Sequence, residues 1–363
     1  MPIKKLANKF FKNLVFIAFT IYLFLNHATA QSDQGGQKSI KVESCNRILE
    51  FTDPPKRAVS NDINLTEMMF ALGLQKHMVG YTGITGWQKL TDEFKQSAGK
   101  IPQLAEKSPT IETLLSVDAD FLFAGWNYGM RVGGPLTPST LGDLGIEVYE
   151  LTESCIHIMD KADSTFDDVF NDLSNLGVIF NVSDRSDELI KQLKMDMESI
   201  TQFTNSVREP VSVFLYDSGK ETPFTAGSYA IPSAMIHAAG GRNITGHLKS
   251  SWTRTNWESV VIENPDIIII VNYGATTAVQ KMDFLRQHPA LTEVTAIRRN
   301  KFIVLEYSEV TPGIRNFSAT KKLAAAFHPT HWSKSYLSKS YLSKNYLSKN
   351  YLSKNLSSYK EKQ

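Results

Sequence analysis

Two stretches of the chain, IETLLSVDADFLFAG from Ile111 and WESVVIENPDIIIIV from Trp257, carry one pattern twice. Each opens a short amphipathic helical segment with a glutamate at its second position, Glu112 or Glu258. An aspartate, Asp120 or Asp266, follows after the same interval, and an apolar run begins at once. Such a run, set directly after a helix and a turn, reads as a strand buried on both faces, as in a parallel sheet covered by helices. The duplication therefore predicts two lobes of one architecture. Asp120 and Asp266, each just ahead of a buried strand, are expected to bond backbone N–H groups of the turn and to be structural.

The flanking segments fit this plan. RAVSND (57–62), HMVGYTG, DFLFAG and GIEVYEL read as strands in the first half, with the helix NLTEMMFALGL placing Leu65, Met68, Met69 and Leu72 on one face. In the second half PVSVFLYD, DIIIIV and KFIVLE read as strands, and SAMIHAAGG as a helix closed by Gly240-Gly241. Between the halves, residues 184–207 contain no Gly or Pro, and Leu189, Leu193, Met197 and Ile200 recur at helical spacing. That segment predicts one helix of roughly 35 Å. The fold class is α/β: two doubly wound lobes joined by one long helix.

The ends of the chain differ from this body. Four lysines precede an apolar run from Leu14 to Leu25, followed by Ala28-Thr29-Ala30. The run is shorter than the roughly 20 residues of a spanning helix, so residues 1–30 are expected to be a cleavable signal peptide. Gln31 would begin the mature chain, and without a cysteine after the cut no lipid anchor is expected. Residues 333–363 repeat YLSKN; a step of five gathers no apolar stripe on a helix or a strand, so a disordered tail is expected. The divisions are then 31–160 for the N-terminal lobe, 161–207 for a helical connector and 208–332 for the C-terminal lobe.

Removing the signal and tail leaves 28 basic against 36 acidic residues, a net charge of about −8. An acidic body of this kind argues against nucleic acid as a partner. The two cysteines, Cys45 and Cys155, are expected to form a structural disulfide in an oxidising compartment. The eight histidines are scattered without an HxH or HxxxH pair, so direct capture of a bare metal ion is not expected. No GxSxG, P-loop or GxGxxG stands at a strand–helix junction, so neither catalysis nor a bound cofactor is expected.

PPKRAVSNDINLTEMMFALGLQKHMVGYTG, SPTIETLLSVDADFLFAG, AGGRNI and NWESVVIENPDIIII together resemble the substrate-binding proteins of iron-siderophore and cobalamin ABC importers, the periplasmic class with a rigid interlobe helix. The resemblance runs from about Ser44 to about Trp332, and the repeat tail departs from it. It implies a ligand held between the lobes, an inner-membrane permease as partner, and a periplasmic monomer. It also implies that Glu112 and Glu258 match the outward glutamates that pair with permease arginines. Two like charges held apart by a stiff helix suit a twofold-symmetric partner.

Ligands of doubly wound sheets sit beyond the carboxyl ends of the strands. Tyr81, Trp87, Trp126, Tyr128, Tyr216, Tyr229, Trp252 and Tyr273 stand near such ends, and Gly125 and Gly129 beside Trp126 and Tyr128 are expected to admit a ligand closely. Arg131, Arg254 and Arg315 lie in loops rich in Gly, Pro, Ser or Thr, where a guanidinium fork suits an anionic group. This set predicts a large anionic metal chelate such as a ferric siderophore, with a corrinoid-like or haem-like ligand using a similar surface.

Overall fold

The computed structural model describes residues 39–87, 90–205 and 207–329; the expected signal segment and repeat tail lie outside the described residues. Among the described residues no helix is long and apolar enough to cross a membrane. The chain opens with an antiparallel hairpin, β1 (Ile40–Ser44) and β2 (Arg47–Phe51). The first lobe then forms around a parallel sheet of β3 (Ala58–Asn61), β4 (Met78–Thr82), β5 (Gln103–Ala105), β6 (Phe121–Trp126), β7 (Gly129–Met130) and β8 (Glu147–Glu150). Its order is β5-β4-β3-β6, with both β7 and β8 pairing onto β6, and every pair is parallel.

The second lobe is smaller. β9 (Val211–Tyr216), β11 (Gly241–Asn243), β13 (Ile267–Asn272) and β14 (Phe302–Glu306) form a parallel sheet ordered β11-β9-β13-β14. β10 (Phe224–Ala226) and β12 (Trp252–Arg254) make a separate antiparallel pair. In both sheets the central strands are buried on both faces, which is why DFLFAG and DIIIIV read as unbroken apolar runs. The helix Ile63–Ala71 goes further than its one-faced pattern predicts: all nine residues are buried, Glu67 included.

The expected connector contains two helices. Phe166–Ile179 belongs to the first lobe, where Val169, Leu173, Leu176 and Ile179 enter its core. Ser183–Thr204 is the bridge: 22 residues, or about 33 Å at the usual rise. Its Leu189 and Leu193 lie in the first core and Ile200 in the second, with Met197 packed against both. A second helix, Arg315–Phe327, spans the same gap. Phe317 enters the first core, with its ring 5.1 Å from Phe166 and 5.3 Å from Phe170, while Leu323, Ala324 and Phe327 enter the second. One covalent bridge and one packed strut thus hold the lobes.

The hairpin is fixed to the first lobe by the Cys45–Cys155 disulfide. Beside it the buried Glu150 carboxylate accepts from Ser44 Oγ at 3.0 Å, from Arg47 Nη2 at 2.7 Å and from the Trp126 indole at 2.8 Å. A buried carboxylate is tolerable when its lone pairs are all engaged in this way.

Candidate functional site

The repeated phrase folds into the same helix–turn–strand unit in the two lobes. Thr110 caps the helix Ile111–Leu115 by accepting the Thr113 N–H, and Asn256 caps Trp257–Glu263 by accepting the Ser259 N–H. Leu114 and Val260 anchor the two helices in the cores. The turn out of each passes through a left-handed residue at the same place, Asp118 with φ 44° and Asn264 with φ 41°. Asp120 then accepts the Lys56 and Arg57 N–H groups, both at 2.8 Å, ahead of β3; Asp266 accepts the Ser212 N–H at 3.2 Å in β9. The aspartates are structural, as expected, and each ties its incoming strand to the neighbouring one. Glu112 and Glu258 are exposed and enter no ion pair among the described residues. Hydrogen bonds from its own N–H and from Thr110 hold the Glu112 carboxyl below the usual carboxylate range.

The carboxyl ends of the strands meet along an interlobe seam. After β3, Asp62 sits at φ 72°, ψ 156°, a backbone region seldom adopted by non-glycine residues. Its Oδ1 caps the Ile63 N–H, and its Oδ2 accepts the Tyr307 hydroxyl from the opposite lobe at 2.5 Å. Tyr307 lies 5.0 Å from the Tyr273 ring, which in turn meets Trp87 of the first lobe edge-on at 6.0 Å. Tyr128 and Trp252 are joined across the seam through the phenol hydroxyl. Glu153 accepts the Ile231 N–H at 2.7 Å, at the start of the helix Ile231–Ala238, and also bonds Ser164 and Tyr128.

This seam is rich in neutral phenols. Burial, then the nearby Asp62 charge, pushes the Tyr307 phenol well above its usual range; burial, then Glu153, does the same for Tyr128. Burial raises Tyr273 as well and lifts the Glu153 carboxyl to about 8. At neutral pH these phenols stay protonated. The Tyr307 and Tyr128 hydroxyls are already committed to Asp62 and Glu153, so ring faces and the Tyr273 phenol are what a bulky ligand rich in oxygen or π surface would meet. Asp217, after β9, is likewise raised by burial, while Lys281 spends its ammonium on the Val271 and Tyr273 carbonyls.

Of the residues expected in the cleft, the structure brings Trp87, Tyr128, Trp252 and Tyr273 to the seam. Tyr229 stands nearby with Lys249 over its ring. Others are elsewhere. Tyr81 packs edge-on against Phe94 in the first core, and Tyr216 lies among Trp257 and Phe284 in the second. Trp126, expected to face the gap, is buried, because its indole is the donor that satisfies Glu150. The glycines beside it serve the chain rather than a ligand. A Cβ on Gly125 would stand 2.8 Å from Ser154 Oγ, and one on Gly129, at φ 106°, 2.8 Å from Asn61 Cγ.

The three arginines are placed differently. Arg315 forms a two-pronged pair with the buried Glu67, both contacts at 2.6 Å, and clamps the terminal helix to the first lobe. Arg254 is exposed, bonded to Thr222 and set over the Phe224 ring. Arg131 is exposed on the loop after β7. Asp62, Glu153 and Tyr307 were missed, although Tyr307 follows the last strand directly and the strand-end rule applied to the other aromatics would have found it. Among the described residues no three His, Cys, Asp or Glu side chains converge to hold a metal ion.

Residues 59–308 match a family described as periplasmic binding protein. An uncharacterized ABC transporter substrate-binding lipoprotein of Bacillus subtilis, YvrC, is 22% identical over 290 residues, which is 79% of this chain and 84% of the relative. A periplasmic binding protein from Veillonella parvula superposes with a TM-score of 0.71 at 25% identity, covering 80% of this chain and 98% of the other. A structure from an ABC-type Fe3+-hydroxamate transport system of Saccharomonospora viridis gives 0.67 at 20%, covering 79% and 98%. The periplasmic heme-binding protein RhuT of Roseiflexus gives 0.60 at 20%, covering 76% and 99%.

Proposed function

The chain belongs to the periplasmic binding protein family, and from that premise we propose that it is the substrate-binding component of an ABC importer, capturing a ferric siderophore or a similarly large chelate between its lobes. The observation that carries this reading is the seam itself. At the carboxyl ends of two parallel sheets, residues from both lobes supply aromatic faces around Asp62, whose backbone is strained and whose carboxylate holds the Tyr307 hydroxyl. Such a surface suits a bulky organic ligand better than a small solute. The bridge helix and the terminal strut favour small closure motions over a wide hinge.

Export by a signal peptide and work as a monomer belong to the same proposal. On the outside of the lobes, Glu112 and Glu258 dock on the permease, supported by their matched, exposed positions on the two repeated units and by their entering no ion pair among the described residues.

Thermal unfolding of the purified protein with a ferric trihydroxamate, a ferric tricatecholate, hemin, cyanocobalamin and divalent metal salts tests the ligand reading. One ferric chelate should raise the melting temperature, since ligand at a hundredfold excess over Kd adds about 2.7 kcal/mol. It should also quench tryptophan fluorescence through Trp87. A shift with hemin or cyanocobalamin alone would move the assignment to that cofactor class, and a shift with metal salts alone would refute it.

A further inference from the structure

The two repeated helices share one property that permease docking through glutamates does not use. Leu115 is 47% exposed and stands three residues after Glu112; Val261, three residues after Glu258, is 38% exposed, and Ile262, four after it, is 81% exposed. Three- and four-residue steps place these aliphatic groups on the glutamate's own side of the helix. A lone exposed leucine means little. Here the same pairing occurs at the same register in two sheets that differ in strand number, while the preceding residues, Leu114 and Val260, are buried to anchor each helix.

We propose that each helix presents a two-part contact, a carboxylate flanked by an aliphatic side chain, which the permease meets with a basic group set beside an apolar surface. This rests on the docking reading above and adds to it the part that does not depend on charge. The occupant follows from the page. Two carboxylate-bearing patches on lobes held by the bridge and the strut need a partner that offers two like sites of opposite charge, as a twofold-symmetric permease does. A second copy of this chain fits badly, because an isologous contact would set glutamate against glutamate. The division of labour is physical: charge steers the approach and selects the partner, whereas burial of aliphatic surface slows release and is insensitive to salt.

The test uses the full chain and the permease–ATPase complex of its importer in lipid nanodiscs, with docking followed by surface plasmon resonance across a salt series. Leu115→Ser combined with Val261→Ser and Ile262→Ser should weaken docking about tenfold or more, chiefly through faster dissociation and with an unchanged salt slope. Melting temperature and ligand binding should stay at wild-type values. Glu112→Lys with Glu258→Lys should abolish docking at low salt. If the serine variant docks like wild type while the lysine variant fails, the aliphatic contact is overturned and the glutamate reading stands. If both dock normally, both readings fall. A serine variant that melts early or loses ligand affinity would show these side chains to be structural and would also overturn the proposal.

Discussion

The two lobes carry matching copies of one helix–turn–strand unit inside very different surroundings. Capping residue, buried anchor, left-handed turn and strand-tying aspartate recur one for one. Around the first copy stand a six-stranded sheet, a hairpin, a disulfide and several buried carboxylates. The second has four parallel strands and an aromatic cluster of Tyr216, Trp257 and Phe284. The difference teaches that the unit's geometry does not depend on how its lobe is braced. The copies share cap, anchor, turn and aspartate, and what separates them is the sheet and the packing around them.

Removing the bracing should have the largest effect and should fall on one side. The Cys45–Cys155 link closes 110 residues, all in the first lobe and its hairpin. The chain-entropy account assigns a loop of that size up to about 4.7 kcal/mol. Cys45→Ala with Cys155→Ala should lower the melting temperature substantially, with hydrogen exchange accelerating first in residues 40–51 and 147–157. Uniform acceleration across both lobes would break the asymmetry.

Next in size is the clamp between lobes. Arg315→Met leaves the Glu67 carboxylate buried without its partner and should cost about 3 kcal/mol. Adding Glu67→Leu should recover a large part of that loss, because the uncompensated charge disappears. A double variant no more stable than the single would mean that the pair acts through shape alone.

Acid–base behaviour separates the lobes more subtly. Burial raises Glu153 to about 8 and Asp172 to about 7, and both belong to the first lobe. Unfolded, both groups ionise near 4. The folded chain therefore holds extra protons between about pH 4 and pH 8. Their stabilising contribution is complete below that window and is lost as pH rises through about 7 and then about 8. Melting temperature measured from pH 5 to pH 9 should decline accordingly, and Glu153→Gln should flatten the upper part of the curve. A Gln variant with the wild-type profile would remove Glu153 from this role.

The smallest effects should be equal. Asp120→Ala and Asp266→Ala each delete side-chain bonds to a neighbouring strand and should each cost about 1 kcal/mol, read as matched shifts in denaturant midpoint. A clear inequality between them would show that the units are not energetically equivalent.

Much of this was legible before any coordinates. Strand runs such as DIIIIV, the bridge around Leu189, Leu193 and Ile200, the paired aspartates and the disulfide all depend on local pattern or on a pair that has no alternative. What escaped was non-local. Nothing near Trp126 reveals that Glu150 awaits its indole, and nothing near Arg315 reveals Glu67, 248 residues away. A loop rich in Gly and aromatics looks alike whether a ligand or another stretch of the same chain approaches it. In GWNYGMR it is Ser154 and Asn61 that come close.

The helix Arg315–Phe327 sets the order in which the protein can be completed. Phe317 fills a place in the first lobe between Phe166 and Phe170, yet it is synthesised roughly 150 residues after them. Until it arrives, the first lobe has a gap in its core and Glu67 is buried without a counter-charge. That lobe therefore cannot reach its final form as an early, independent folding unit. Its last contacts wait for the second lobe's own closing helix, so the two halves of a duplicated architecture finish folding together.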